Sequence, residues 1–261
     1  MRAQIISELE HIERDEQVKI IFACEAGSRA WGLQSNDSDF DVRFFYIHHT
    51  DWYLSIEHKR DVINKPISDL LDISGWDIRK ALQLYKKSNP SIFEWLKSSI
   101  IYAEHDQVMK DFRKMIPYAF SEKKCMYHYL HMAKRNYHNI LSKESVTAKQ
   151  YLQIIQPLLC CKWIEMYHSP PSGQFRKIMY ATIPKEGLIE EIANLIYMKR
   201  KGIIEVGNSK TLVQFIEQQL ITIERVVQTQ LASKCEKYEP FNQIFLNALQ
   251  EIWGYDKNNS F

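Results

Sequence analysis

GSRAWGLQSNDSDFDVRFF, residues 27–45, is the stretch on which the reading of this chain turns. The apolar run VKIIFACEA precedes it at residues 18–26 and reads as a buried strand. The Gly27-Ser28 pair breaks that run and opens a short helix carrying Arg29, Ala30 and Trp31. Ser38 follows, then Asp39-Phe40-Asp41, inside a second strand expected from Ser38 to His48. Side chains alternate faces along a strand, so Asp39 and Asp41 should point one way and Phe40 into the core. Two carboxylates on one strand face, close to a Gly-Ser turn, form a compact place for a hard divalent cation and a phosphate. Gly27 has no Cβ and lets the backbone approach an anion closely, while Ser28 offers a hydroxyl and an amide.

Outward from this stretch, residues 3–15 put Ile5, Ile6, Leu9 and Ile12 on one helical face. Pro66 is expected to divide RDVINKPISDLLDISG into two strands, near 61–65 and 67–73. Gly75 and Asp77 read as a turn and a helix start, followed by the helical IRKALQLYKKS. Ser88-Asn89-Pro90 ends that helix and SIFEWLKSS begins another, with Asn89 and Glu94 as caps or helix-start residues. Beyond about residue 105 strand signals fade. Helical spacing runs through 106–118, 122–142, 147–167, 185–201 and 209–231, with loops at 169–173 and near 201. The expected fold is therefore α+β: a small mixed-sheet domain over residues 1–105 and an all-helical domain over 106–261.

Composition sets outer bounds. The 261 residues are 45% hydrophobic and 25% charged, ordinary for a globular chain, and suffice for a substantial core. A formal net charge of +2 gives no bulk argument for nucleic acid, so any such binding must come from clustered charge. No apolar run reaches the ~18 residues of a membrane span. MRAQIISELEHIERDE is charged and amphipathic, unlike a signal peptide. Five cysteines with no CxxC suit free thiols in a reducing cytoplasm rather than a disulfide framework or zinc site.

The combination of Gly-Ser, a spacer of about ten residues and Asp-x-Asp resembles the catalytic signature of the DNA polymerase beta superfamily of nucleotidyltransferases. The resemblance narrows further. AGSRAWGLQSNDSDFDVRFFYI and RDVINKPISDLLDISGWDIRKALQLYKKSNPSIFEWLKSSIIY, covering residues 25–102 apart from a short interval, are similar to a bacterial and phage family named for an RNA-repair pathway. KQYLQIIQPLLCCKWIE at 149–165 resembles that family's helical half, with Gln156 standing where relatives carry Arg. The resemblance implies a nucleoside triphosphate, Mg²⁺ or Mn²⁺, and transfer of a nucleoside monophosphate to a hydroxyl. Asp39 and Asp41 would be catalytic metal ligands, and Gly27, Ser28 and Ser38 would hold the nucleotide; Arg29 either reaches the triphosphate with them or is a surface residue.

A third carboxylate is then expected on a neighbouring strand. Asp72, between Leu71 and Ile73, fits best; Asp69 and Asp77 are the alternatives, with Asp77 placed as a helix cap. Arg79 and Lys80 lie just beyond, either reaching phosphates near the metals or forming the solvated face of a capped helix. His128, His131 and His138 sit among Tyr127, Tyr129 and Tyr137; the 128/131 spacing is open to metal binding, but a solvent-facing or core-edge helix explains them more simply. Lys123, Lys124, Lys134 and Arg135, with Lys149, Lys162 and Arg176 beyond, suggest a basic and aromatic surface for an RNA end; the competing reading is a solvated bundle with core tyrosines.

Three functions compete. The first is nucleotidyl transfer to an RNA end. The second is adenylylation of a protein hydroxyl, as in minimal superfamily members that work with a separate helical partner. The third is a nucleotide sensor without turnover, disfavoured by the intact Asp39, Asp41 and Asp72 set.

Overall fold

The computed structural model describes residues 1–68, 70–141, 145–203, 206–207, 209–230 and 238–254. The N-terminal part runs α1 (Arg2–Glu16), β1 (Val18–Glu25), α2 (Gly27–Ala30), β2 (Phe40–His48), α3 (Thr50–Leu54), β3 (Val62–Ser68), β4 (Leu71–Asp77), α4 (Ile78–Lys86), α5 (Pro90–Leu96) and β5 (Ile101–Glu104). The helical part follows as α6 (Asp106–Lys114), α7 (Ile116–Ala119), α8 (Glu122–His138), α9 (Ala148–Tyr167), α10 (Phe175–Thr182), α11 (Glu186–Arg200), α12 (Lys210–Thr229) and α13 (Glu239–Trp253).

The five strands form one mixed sheet in the order β3-β4-β2-β1-β5. Alternation gives each face its own partner. On β2, Val42, Phe44 and Tyr46 pack with Ile5, Leu9 and Ile12 of α1. Phe45 and Ile47 point the other way, into the core shared with the helical part. That larger core runs unbroken across residue 105, from Ile21 on β1 to Leu249 on α13. All described strands lie before residue 105, so the compositional shift there marks a change of secondary structure within a shared core.

Several element boundaries differ from the sequence expectation. Strand β2 begins at Phe40, so Asp39 stands just ahead of it. Pro66 lies within β3 rather than between two strands; β3 is an edge strand, where a missing N–H is tolerated. Gly75 is not a turn but the middle of β4. A Cβ there would lie 2.2 Å from the Phe44 ring, so glycine makes room for an aromatic side chain on the adjacent strand. Strand β5 and helices α10 and α13 carried no clear signal; the first has four residues, all half-buried. Asp69 lies outside the described residues.

Candidate active site

Strands β2 and β4 run parallel, with Asp41 paired to Asp72 and Arg43 to Ser74. In-register residues of neighbouring strands share a face, so both carboxylates stand at the rim of the face that the helical part covers. One nitrogen of Arg43, Nη2, donates to Asp41 Oδ1 at 3.0 Å and to Asp72 Oδ2 at 2.7 Å. Arg43 Nη1 also donates to the Asp72 carbonyl at 3.2 Å. The Asp41 side chain is 30% exposed and that of Asp72 55%. Burial pushes the Asp41 carboxyl above the usual range; Arg43 opposes this, and the charges of Asp72 and Asp39 add to it.

Behind Asp41 lies a support that sequence reasoning missed. Glu25, fully buried at the end of β1, accepts the Asp41 N–H at 2.9 Å and the Tyr102 hydroxyl. The Ala26 N–H donates to the Asp41 carbonyl at 2.7 Å. Burial raises the Glu25 pKa, while the Tyr102 and Asp41 bonds favour its charged form. An acidic residue ending an apolar strand looks like a strand terminator, which is why its role was hidden. Gly27 completes the support with a φ of +55°. A Cβ at this position would sit 2.0 Å from Asp41 Oδ2, so only glycine lets the carboxylate lie against the backbone.

Gly27, Ser28, Ser38, Asp39 and Asp41 line one wall of a cleft of about 510 Å³. Helices α9 and α11 of the helical part supply Lys149, Gln156 and Lys199 to the same cleft. Lys199 Nζ donates to the Leu33 carbonyl at 2.6 Å. Its pKa is lowered by burial and then by Lys149. Lys149 also favours the charged form of Asp41. Helix α9 is fixed here by a local exchange of partners. Pro157 has no N–H for the Gln153 carbonyl, and Asn136 Nδ2 of α8 donates to that carbonyl instead, at 2.9 Å.

Other expected site residues have different neighbours. Arg29 stacks on Phe40, with its guanidinium carbon 3.7 Å from the ring centroid. It donates to the carbonyls of Ser38 and Asp39 at 2.6 and 3.0 Å, so it secures the loop that carries the carboxylates. The Ser38 hydroxyl accepts the Ser35 N–H at 2.8 Å and closes the same loop. Arg79 and Lys80 do not approach the carboxylate pair. Five residues of strand, roughly 16 Å, separate Asp72 from Asp77. Arg79 lies over Tyr53, 4.7 Å from the ring centroid, and Lys80 pairs with Asp61 at 2.9 Å. Asp77 caps α4 by accepting the Arg79 N–H at 2.8 Å. It also accepts the Tyr53 hydroxyl at 2.7 Å, and burial pushes its pKa up to about 6.

Glu94, expected as a cap or helix-start residue, lies inside α5. Asn89 caps α5, accepting the Ser91 N–H at 2.9 Å. Glu94 lines the cleft, half-buried, and accepts the Tyr129 hydroxyl at 2.7 Å; burial pushes its pKa up to about 7. The histidines of α8 are not gathered around a common point: among the described residues no three His, Cys, Asp or Glu side chains form a metal-binding group. This bears on the carboxylates too. Asp41 and Asp72 already converge on one positive charge, and that donor set suits a hard cation with two protein ligands. Remaining positions would fall to substrate phosphates, water or a reoriented Asp39.

A mixed sheet with carboxylates at its rim and a helical half closing the cleft is the architecture expected of a nucleotidyltransferase. The model of the RNA repair pathway DNA polymerase beta family matches residues 1–247, and the chain belongs to that family. It is similar to the uncharacterized protein YcgL of Bacillus subtilis (strain 168), with 42% identity over 257 residues, 97% of this chain and 98% of that one. A crystal structure of a nucleotidyltransferase-like protein from Exiguobacterium sibiricum 255-15 aligns over 95% of this chain and 80% of its own, with 13% identity and a TM-score of 0.31.

Proposed function

We propose that the protein transfers a nucleoside monophosphate from a nucleoside triphosphate to the hydroxyl of an RNA end. The observation that carries this reading is a cleft with Asp41, in register with Asp72 on the neighbouring strand, on one wall and Lys149 and Lys199 on the other. Anionic and cationic walls facing one another suit a triphosphate accompanied by a divalent ion.

Asp41 and Asp72 would hold Mg²⁺ or Mn²⁺, with Asp39 as a further oxygen ligand. Such an ion, when bound, neutralises charge developing on the transferred phosphoryl group and the attacking oxygen. Glu25 and Gly27 keep the Asp41 carboxylate in place, and Arg29 keeps the loop of Ser38 and Asp39 in place. Ser28 faces the phosphates from the carboxylate wall. Lys149 draws the triphosphate toward the opposite wall. The RNA acceptor follows the family's description, and the cytoplasmic setting follows the four buried free thiols Cys24, Cys125, Cys160 and Cys161.

The test is incubation of the purified protein with each α-labelled triphosphate, Mg²⁺ and short RNAs or candidate proteins as acceptors. Label on RNA, with release of pyrophosphate, supports the reading. Label on protein alone transfers the chemistry to a protein hydroxyl, and no label under any condition removes it.

A further inference from the structure

A second concavity, of about 530 Å³, lies beside the cleft and shares Met132 with it. It runs between the end of α4 and one face of α8. Lys124, Tyr127, His131 and Arg135 follow one another at three- and four-residue steps, so they form a single exposed stripe on α8. Lys87, just past the end of α4, faces the same groove. The Tyr127 and His131 rings lie 4.2 Å apart.

The distribution of counter-charges sets this face apart. The other cations of α8 are occupied: Lys123 donates to the Gln230 carbonyl at 2.8 Å, and Lys134 pairs with Glu224 at 2.5 Å. Among the described residues Lys87, Lys124 and Arg135 form no ion pair, and no acidic side chain lines the groove. Surface cations ordinarily have water for company, so three unpaired charges alone mean little. Here Lys124 and Arg135 flank two exposed rings, Tyr127 and His131, along a groove that shares Met132 with the cleft. Spaced cations with aromatic platforms match a strand of phosphates and bases.

We infer that this groove is the track for the acceptor strand: single-stranded RNA lies along α8, and its end passes Met132 into the cleft. The inference rests on the transfer reading above. Phosphates of the strand meet Lys87, Lys124 and Arg135, and one base stacks on Tyr127. The track is sequence-tolerant, because its contacts are to phosphate and to ring faces.

The experiment measures binding of a fluorescein-labelled, unstructured RNA of about ten nucleotides to the full chain by anisotropy. Triphosphate binding is titrated in parallel. Lys124→Glu with Arg135→Glu is compared with Lys110→Glu, an exposed cation of α6 outside the groove. The milder pair Lys124→Gln with Arg135→Gln, and Tyr127→Ala, guard against misfolding. The groove variants should bind RNA at least about tenfold more weakly, and each cation removed should lower the salt slope by about 0.7. Triphosphate binding should stay unchanged in every variant, and Lys110→Glu should leave RNA binding intact. RNA binding that is absent at low salt, or equal in wild type and both groove pairs, overturns the track. If triphosphate binding survives in that case, the track fails alone; if wild type binds no triphosphate, the transfer reading fails with it. Preferential binding of an acidic peptide over RNA also overturns it.

Discussion

Asp41 and Asp72 occupy opposed positions in the parallel pairing of β2 and β4, and a single nitrogen of Arg43 reaches both carboxylates. Arg43 bridges the pair, and other features support one member each. Glu25 and Gly27 fix Asp41, and the alternation of β4 turns Asp72 to the same face. The arrangement concentrates negative charge where a helical wall brings lysines.

Gly27→Ala tests the backbone support. The new methyl would collide with Asp41 Oδ2 and would also force a left-handed conformation on alanine. The conformational cost is about 1–2 kcal/mol. Expected is a modest fall in the urea midpoint together with a loss of transfer of about 10- to 100-fold. Full activity in Gly27→Ala would show that Asp41 does not need its present position.

Gly75→Ala separates packing from chemistry. Its methyl would meet the Phe44 ring on the face away from the cleft. Overpacking of this kind costs about 1–3 kcal/mol. Denaturant unfolding should register that loss while the folded fraction keeps its transfer rate. An unchanged midpoint would mean that Phe44 has room to move.

Glu94→Gln tests the buried carboxyl of the cleft. Its pKa is raised from 4.5 to about 7, so the fold favours the protonated form. A raised carboxyl makes the native state bind more protons than the unfolded chain within that window. Stability should therefore be fullest below about pH 4.5 with respect to this group, and should fall as pH rises toward 7. Glu94→Gln removes that contribution. The urea midpoint of the variant relative to wild type should climb between about pH 5 and pH 8. A constant difference across that range would show that Glu94 titrates normally.

Much of the site was legible because its parts are local. Gly27 and Ser28 follow the end of β1 and Asp39 and Asp41 stand at the start of β2, so a short stretch of chain joins two paired strands and brings the four residues to one cleft. Asp72 could be favoured from its apolar neighbours, but its register with Asp41 depends on a parallel pairing that no hairpin turn specifies. Arg79 and Lys80 were misplaced for a related reason. Reading Gly75 as a turn ended the strand early and drew the following helix toward the carboxylates, whereas β4 continues to Asp77 and carries that helix to the far end of the sheet. Glu25 and Lys199 were invisible because each acts through a tertiary contact, one with Asp41 and one with Leu33.

The most direct measurement is single-turnover transfer of an α-labelled nucleotide with a divalent ion, compared across Asp41→Asn, Asp72→Asn and Asp77→Asn. Asparagine keeps the shape and removes the charge, and it remains a competent cap at position 77. Asp41→Asn and Asp72→Asn should each slow transfer by about 100-fold or more, while Asp77→Asn should stay within a few-fold of wild type. Undiminished transfer in Asp72→Asn, or its abolition in Asp77→Asn alone, would contradict the assignment of the Asp41–Asp72 pair as the reacting centre.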